Sequence, residues 1–437
     1  MTLPLLIRDP IHGSIKIETE EEKKVLDSPF FQRLRYISQL SGAQMVYPSA
    51  THTRFAHSLG VMYLAGLYAR ALLKDDEERI SAIRLAAMLH DIGHGPYSHQ
   101  FDDAVYSQFY SDVPEVASGQ IMGHDYQRFR ILEKMAEENY IKDKTYEMIL
   151  EIWQDKDLIG AAIVQGVLGA DRLDFLIRDS YFCGTQQFGM VPIDRIIKNS
   201  YVVDIDGIER LAYSYKLLDD LYITLVGRFF MYRNVYFHKA ARSADIMIQQ
   251  LLRMAYKPLN LGDWINDLDL FSKLNEFTLS GLICSSEDKE IRDFYERIFV
   301  RRKLYKMVFE SLAPESLEMR EIRRDVLRLY LEKMYLSPLK ARLNDIPIIP
   351  DTLLDITFFN PDEFRASNVF IYDPKKRLGL EEVITMEEAL NKLKYLPIAK
   401  EFGILRLYTE PEFYDLVKET IAEIEKERKE SLPSTKA

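Results

Sequence analysis

Residues 89–99 read LHDIGHGPYSH. His90 and Asp91 stand side by side at the end of an apolar helical run, and His94 and His99 follow within the next turns. The chain has 8 histidines, so three in one short segment are not scattered by chance. Imidazole and carboxylate together form the ligand set of a hard or borderline divalent metal: Mn, Mg, Fe, Zn or Ni. A metal so held polarises a phosphoryl oxygen and acidifies a bound water. The His-Asp dipeptide is common, and its weight here comes from partners elsewhere. His57 lies in HTRFAHSLGV and Asp171 in GADRLDFLIRD, both with helical periodicity. Alone, His57 is better read as a core or surface histidine and Asp171 as an exposed helix charge. With the pair they supply four ligands from separate helices, and that conjunction favours a metal in a helical core.

Such ligands need helices to carry them. From about Glu21 to Tyr335 the periodicity is mostly helical. Ile80, Ile83, Ala87 and His90 fall on one face, and Gly93 is expected to end that helix with a left-handed cap. Gly95-Pro96 then forces a turn. Asp125 to Glu138 reads as an amphipathic helix with Phe129, Leu132 and Met135 inward. Residues 211–257 read as one long helical stretch whose Met and aromatic stripe is core. SIKIE near the N-terminus is expected as a hairpin arm, and Asp206-Gly207 within YVVDIDGIER signals a second hairpin. Pro338, Pro347 and Pro350 cluster after a helix expected to end near Tyr335. That places a boundary between a helical core, 1–336, and a smaller α+β lobe, 337–437. In the lobe LLDITFF, NVFIYDP and FGILRLYTE read as strands, and EEALNKLKYL and 411–428 as helices. The tail after Glu425 is expected to fray. The fold class is mainly α.

The motifs also come in a specific order: DPIHG at 9–13, FQRLRYISQL at 31–40, HTRFAHSLGV at 52–61, LHDIGHGPYSHQFD at 89–102, GADRLDFLIRD at 169–179 and YFHKAAR at 236–242. With the pattern H…HD…D they resemble the HD superfamily of metal-dependent phosphohydrolases. The closer resemblance is to its dNTP triphosphohydrolase branch, which includes the SAM-and-HD-domain enzyme of animals, here without a SAM domain. It runs from about Arg8 to about residue 310.

The resemblance implies cleavage of a dNTP between the sugar 5′ oxygen and the α-phosphorus, releasing deoxynucleoside and inorganic triphosphate. It carries metal ligation to His57, His90, Asp91 and Asp171. It makes His99, Asp102 and His124 a catalytic group beside the metal, with His94 on the phosphates or sharing their task. How acid, base and positioning divide among the histidines stays open. A carboxylate beside a histidine favours imidazolium, so Asp102 would keep a neighbour protonated. His124 taken alone is a capping or surface histidine. The resemblance further implies phosphate contacts from Arg54 and Arg172, and substrate contacts from Arg228 and Tyr236. It implies a steric check on the sugar from Gln39 and Leu40, and in Asp179, eight residues after Asp171, a 3′-hydroxyl reader that rejects ribose by crowding. Without it, Arg228 and Tyr236 are helix packing. Two departures stand out: Phe175 replaces a tyrosine against the sugar, and Arg172 replaces a lysine. Phe keeps the stacking face and loses the hydroxyl.

The family's guanine-nucleotide activator site maps to Asp27, Gln32 and Arg35, with Arg302 and Lys306 reaching phosphates from a neighbouring chain. This implies GTP or dGTP as activator and a homotetramer. Leu5 and Arg8 replace a lysine and an asparagine there, which changes the pocket's charge pattern. On residues alone, RRKLYK is a solvated helix face.

Composition narrows the partners. A net charge of −11 disfavours general binding to nucleic acid or an anionic membrane. The chain's 437 residues, 47% hydrophobic, suffice to bury a core. Cys183 and Cys284 cannot make a disulfide framework, as expected of a reducing compartment. Neither a signal peptide nor a run of 18 apolar residues is found, so a cytoplasmic location without a membrane span is expected. Two other readings stay open: an HD-type nucleotidase or phosphodiesterase acting on another nucleotide or a nucleic-acid end, and a non-catalytic nucleotide-sensing protein. Arg54 and Asp179 favour the dNTP reading over the first, and the complete H…HD…D set argues against the second.

Overall fold

Helix Arg54–Leu73 is apolar on almost every face, and residues from Phe55 to Ala69 are buried around its whole circumference. The computed structural model describes residues 3–313, 324–356, 369–377, 382–396 and 401–431, and it sets this helix at the centre. Helices Glu77–Leu89 and Ala170–Phe182 pack directly against it. The fold is mainly α, as the periodicity predicts.

Asp76 caps helix Glu77–Leu89 by accepting from the Arg79 N–H. At the other end the expected glycine cap is not used. His90 closes the helix in right-handed conformation, with φ −57° and ψ −32°. The left-handed residues come later, at Tyr97 (φ 64°) and Ser98 (φ 55°). Gly93 serves close approach instead: a Cβ there would run into the His124 carbonyl and the Arg128 backbone. Helix Gly123–Glu137 can therefore dock its first turn onto the loop after His90.

The stretch 211–257 is not one helix. Strand Ile208–Ser214 pairs antiparallel with Ser200–Ile205 about Asp206 and Gly207, whose φ values of 54° and 80° suit a two-residue hairpin turn. Pairing on both edges holds residues 212–214 extended, because Phe370–Tyr372 adds on the other side. Helix Leu218–Met231 follows, then a five-residue π-type segment, Tyr232–Tyr236, and helix Lys239–Tyr256. The wider turn of such a segment re-aims the side chains at its end.

Lys306–Leu312 is a strand where the periodicity suggests helix. It joins Glu401–Thr409 and Ile348–Ile356 in an antiparallel sheet, with Glu401–Thr409 in the middle. The expected boundary at 336/337 falls within a helical run, Arg324–Arg342, and both larger sheets draw strands from either side of it. The expected C-terminal strands and helices are present as Ile348–Ile356, Phe370–Tyr372, Met386–Lys392, Glu401–Thr409 and Tyr414–Ser431. The last residues of LLDITFF and the end of the charged tail lie outside the described residues. A second core, including Val308, Leu327, Leu331, Leu405 and Val417, fills the space beside the three-stranded sheet. Among the described residues, no helix is long and apolar enough to cross a membrane.

Candidate active site

Three helix ends meet at one point. His57 comes from the first turn of Arg54–Leu73, His90 and Asp91 from the end of Glu77–Leu89, and Asp171 from the first turn of Ala170–Phe182. His57 Nε2 lies 3.1 Å from Asp171 Oδ1 and 3.8 Å from Asp91 Oδ2. His90 Nε2 lies 3.4 Å from Asp91 Oδ1 and 3.6 Å from Asp171 Oδ1. The fold thus brings all four expected ligands together.

The ring nitrogens show whether a cation fits. His90 Nδ1 donates to the Ala87 carbonyl at 2.7 Å, which leaves Nε2 as a bare lone pair. That nitrogen is buried and has no hydrogen-bond partner among the described residues. His57 Nδ1 is held 2.8 Å from Asp174 Oδ2, which turns its Nε2 toward Asp171. Imidazoles fixed this way from behind are the usual outer shell of a metal site. Two imidazoles and two carboxylates fit a divalent cation, and when bound it supplies Lewis acidity toward a phosphoryl oxygen.

Local charge agrees. Burial would raise the Asp91 pKa, yet the Arg54 guanidinium 2.5 Å away, with His90 and His94, holds it well below the carboxylate range. Burial opposes ionisation of Asp171 too, and His57, 3.1 Å away, together with His90 lowers its pKa. Burial disfavours charge on His57, but Asp171, Asp174 and Asp91 push its pKa up to about 10. Both ligand carboxylates are thus held ionised, the form in which they bind a cation.

Sequence reasoning missed the shell behind these ligands. Asp174, fully buried, also takes His12 Nε2 at 2.6 Å and Arg178 Nε at 2.8 Å. Arg178 in turn pairs with Asp9 Oδ2 at 2.8 Å. DPIHG therefore contributes both Asp9 and His12 to the support of His57. The signal was available: Asp171, Asp174 and Arg178 stand at i, i+3 and i+7 on one helix.

A second cluster adjoins the first. Asp102 accepts from the His124 backbone N–H at 2.8 Å and from its Nδ1 at 2.9 Å. His94 stacks on His124 with centroids 3.7 Å apart, and His99 meets both rings edge-on at 4.9 and 5.4 Å. His94 Nε2 lies 3.3 Å from Asp91 Oδ1 and so joins the two clusters. Burial, then Arg54 and His124, push the His94 pKa well below its ordinary value. Burial opposes charge on His124, but Asp102 and Asp125 raise it. Of the two stacked rings, His124 is the one whose surroundings favour a proton and His94 the one whose surroundings disfavour it.

Both clusters open into a cavity of about 500 Å³. Gln39, Leu40, Arg54, Phe175, Asp179 and Tyr236 line it. Arg54 is fixed by Asp91 and by the Ser98 hydroxyl, which accepts from its Nε at 2.7 Å. The Tyr236 hydroxyl donates to Asp179 Oδ2 at 2.6 Å. Gln39 Oε1 is buried without a partner. Arg172 and Arg228 are not among the lining residues; the Arg228 guanidinium sits 4.4 Å over the Tyr232 ring. Arg128 and Arg242, which sequence reasoning did not single out, do line the cavity.

The expected activator residues lie elsewhere. Asp27 ends helix Glu20–Asp27 and is exposed. Gln32 Oε1 accepts from Arg35 Nε at 2.7 Å, and the Arg35 guanidinium covers the Phe55 ring at 3.6 Å. Arg302 stands in a turn (φ 49°) and donates to the Met45 carbonyl, while Lys306 opens a strand. RRKLYK is therefore not a helix face.

Similarity to known proteins follows this layout. Residues 54–164 match the HD domain and residues 221–429 the HD associated region. An uncharacterized protein of Methanocaldococcus jannaschii is 30% identical over 431 residues, spanning 92% of this chain and 88% of its own. The deoxynucleoside triphosphate triphosphohydrolase SAMHD1 of Gallus gallus is 28% identical over 92% of this chain and 71% of that protein. The human protein of that name is 28% identical over 70% of this chain and 55% of its own. The chain belongs to the HD-domain phosphohydrolase family. A crystal structure of a hypothetical protein from Aquifex aeolicus shares the fold at a TM-score of 0.70 and 22% identity, over 96% of this chain and all of that one. A phosphohydrolase from Bacteroides thetaiotaomicron does so at 0.69 and 23%, over 93% of this chain and all of that one.

Two outcomes follow for this site. Asp91→Ala should remove bound metal, and Asp174→Asn should weaken it by about 10- to 100-fold, because the shell behind a ligand tunes its basicity. Metal content after dialysis against graded chelator measures both, and an Asp91→Ala protein with full metal would refute the ligand set. With the His124 imidazolium as the acid, turnover should fall as pH rises through its raised pKa. Asp102→Asn removes the charge that raises that pKa, so the basic limb of the kcat profile should move to lower pH. A limb that stays in place would take His124 out of the acid role.

Proposed function

We propose that the protein is a metal-dependent dNTP triphosphohydrolase. The observation that carries this is the layout of one cavity: a His/Asp metal centre and an imidazole cluster at one end, and the Asp179–Tyr236 pair with Gln39 and Leu40 at the other. The first end suits a phosphate and the second a small polyol. Similarity to triphosphohydrolases over most of the chain supports the same reading.

In this reading Arg54 binds an α-phosphate oxygen and His94, neutral, orients the phosphate. Water adds to the α-phosphorus, and the bond to the 5′ oxygen breaks. His124 gives its proton to the departing 5′ oxygen, with Asp102 holding the ring in place. His99, at the exposed mouth, completes the group. Phe175 packs against the sugar, and Asp179 accepts from the 3′-hydroxyl and, with Gln39 and Leu40, crowds the 2′ position. Arg172, Arg228 and Tyr236 are assigned to the substrate, the arginines reaching the outer phosphates beyond the cavity wall. A nucleotidase or phosphodiesterase reading draws on one fact: of the three arginines expected to contact the substrate, Arg54 alone lines the cavity.

Regulation by GTP or dGTP and assembly into a homotetramer belong to the same proposal. Gln32 and Arg35, joined to each other beside Phe55, abut the helix that begins with Arg54. Asp27 completes the guanine-reading set, and Arg302 and Lys306 would meet the phosphates from a neighbouring copy. The native cation and the preferred base are matters for measurement.

Incubation with each dNTP and Mn or Mg should yield inorganic triphosphate; pyrophosphate or phosphate as the first product would favour the other hydrolase reading. Asp179→Ala should cost roughly 1.5–3 kcal/mol, about ten- to a hundredfold in turnover of dNTP, and narrow the gap to NTP. An unchanged gap would remove Asp179 from the sugar.

Light scattering with and without GTP or dGTP should show larger particles with nucleotide, and Arg35→Ala should weaken that response without loss of metal. A constant mass together with a rate indifferent to guanine nucleotides would refute the activator site.

A further inference from the structure

Asp179 is held from two sides. His52 Nε2 lies 2.8 Å from Asp179 Oδ1, with the two side chains 1% and 2% exposed. The Tyr236 hydroxyl takes the other oxygen. A carboxylate accepts, so His52 carries its proton on Nε2 and donates. The ring is clamped face-on against Phe182, with centroids 4.6 Å apart and planes 17° from parallel. Its other nitrogen, Nδ1, is buried with no hydrogen-bond partner among the described residues. An unpartnered buried nitrogen is unfavourable, and an apolar ring would fill the slot without that cost. What the imidazole adds is the bond to Asp179.

The backbone of the same residue reaches the facing wall. The His52 carbonyl accepts from the Gln39 N–H at 3.1 Å, and the Arg54 N–H donates to the Ile37 carbonyl at 3.0 Å. A β-bridge between Ser38 and Thr53 completes this pairing. His52 does not itself line the cavity, whereas Asp179, Gln39 and Leu40 do.

We propose that His52 is a positioning residue for sugar selection. Its ring aims the Asp179 carboxylate at the 3′-hydroxyl and holds it where it crowds a 2′-hydroxyl, and its backbone sets the Gln39–Leu40 wall against the 2′ position. The inference rests on the dNTP reading above. Side-chain variants leave the backbone bond intact, so they report on the ring alone. With the ring removed, Asp179 keeps only Tyr236 and turns away from the position where the sugar is read. The metal centre, held by other residues, is untouched.

The experiment measures kcat and KM for dCTP and CTP in the wild type, His52→Ala, His52→Gln, His52→Asn, Asp179→Ala and the His52→Ala/Asp179→Ala pair, all metal-loaded. His52→Ala should raise KM for dCTP and narrow the dCTP-over-CTP preference in kcat/KM about tenfold, the worth of one charge-assisted hydrogen bond. Gln, whose amide nitrogen reaches the place of Nε2, should restore most of the preference, and the shorter Asn should not. In the Asp179→Ala background, loss of His52 should add nothing. A preference unchanged in His52→Ala but narrowed in Asp179→Ala overturns the role of His52 and leaves the sugar reading standing. A wild type without preference for dCTP, or an Asp179→Ala protein that keeps it, overturns the sugar reading itself. Should His52→Ala fail to fold, Gln and Asn decide: equal preference in the two overturns the proposal.

Discussion

Asp174 is a carboxylate with no exposure, and the rest of the site depends on how it is satisfied. A lone buried carboxylate is very costly, and the cost falls only when every lone pair finds a donor. Here the donors come from three separate places in the chain: His57, His12 and Arg178. The N-terminal hairpin, the central helix and helix Ala170–Phe182 must therefore meet at one point. The central helix can come this close because residue 60 is glycine; a Cβ there would collide with the Asp174 carboxylate and the Arg178 guanidinium. With His57 pinned from behind, its free nitrogen faces Asp171, and the metal centre follows from the packing rather than from the ligands alone.

This explains which parts of the site could be read from the sequence. His90 and Asp91 are adjacent, so a local pattern reveals them. His57 and Asp171 open their helices within motifs that recur as blocks, so a resemblance supplies them. Asp174 lies three residues from Asp171 and was passed over, because its role is fixed by His12 and His57, distant in sequence. His52 was passed over for the same reason: its partner is 127 residues away. The fold shows a like division. Helices with a clear stripe were legible, as was the Asp206-Gly207 hairpin. Lys306–Leu312 was not, since its strand state depends on Glu401–Thr409, nearly a hundred residues on. β-Propensity depends on the neighbours a strand finds, and a single segment does not announce them. Gly93 was legible as special but for the wrong reason, because close approach and left-handed backbone both select glycine.

The two clusters at the phosphate end act on protons in opposite ways. Asp91, between Arg54, His90 and His94, is kept anionic by its surroundings. Asp102 is likewise held far below the carboxylate range despite its burial, chiefly by His124. The difference lies in what each carboxylate faces. Asp91 faces a ligand site, where its charge attracts a cation. Asp102 faces an imidazole, where its charge stabilises a proton. His94 stands between them in contact with both, and burial, then the positive charges of Arg54 and His124, hold its pKa well below the ordinary value. A neutral ring there can accept or donate a hydrogen bond without competing for the proton on His124, so stacked histidines need not share one role.

Helix Ala170–Phe182 couples that chemistry to recognition. It carries Asp171 at its first turn and Phe175 and Asp179 one and two turns on. At a rise of 1.5 Å per residue, Asp171 and Asp179 are about 12 Å apart along the axis. Their separation is fixed by hydrogen bonds within one element, not by a loop. In the proposed reaction the helix works as a ruler between the place where a phosphate is attacked and the place where a sugar is tested. Arg178, on the same helix, anchors it through Asp174 and Asp9 to the core. A shift of this helix would move the metal ligand and the sugar reader together. In that reading selectivity and turnover are mechanically linked, and control of selectivity alone falls to a side chain that holds Asp179 without touching the metal ligands, as His52 does.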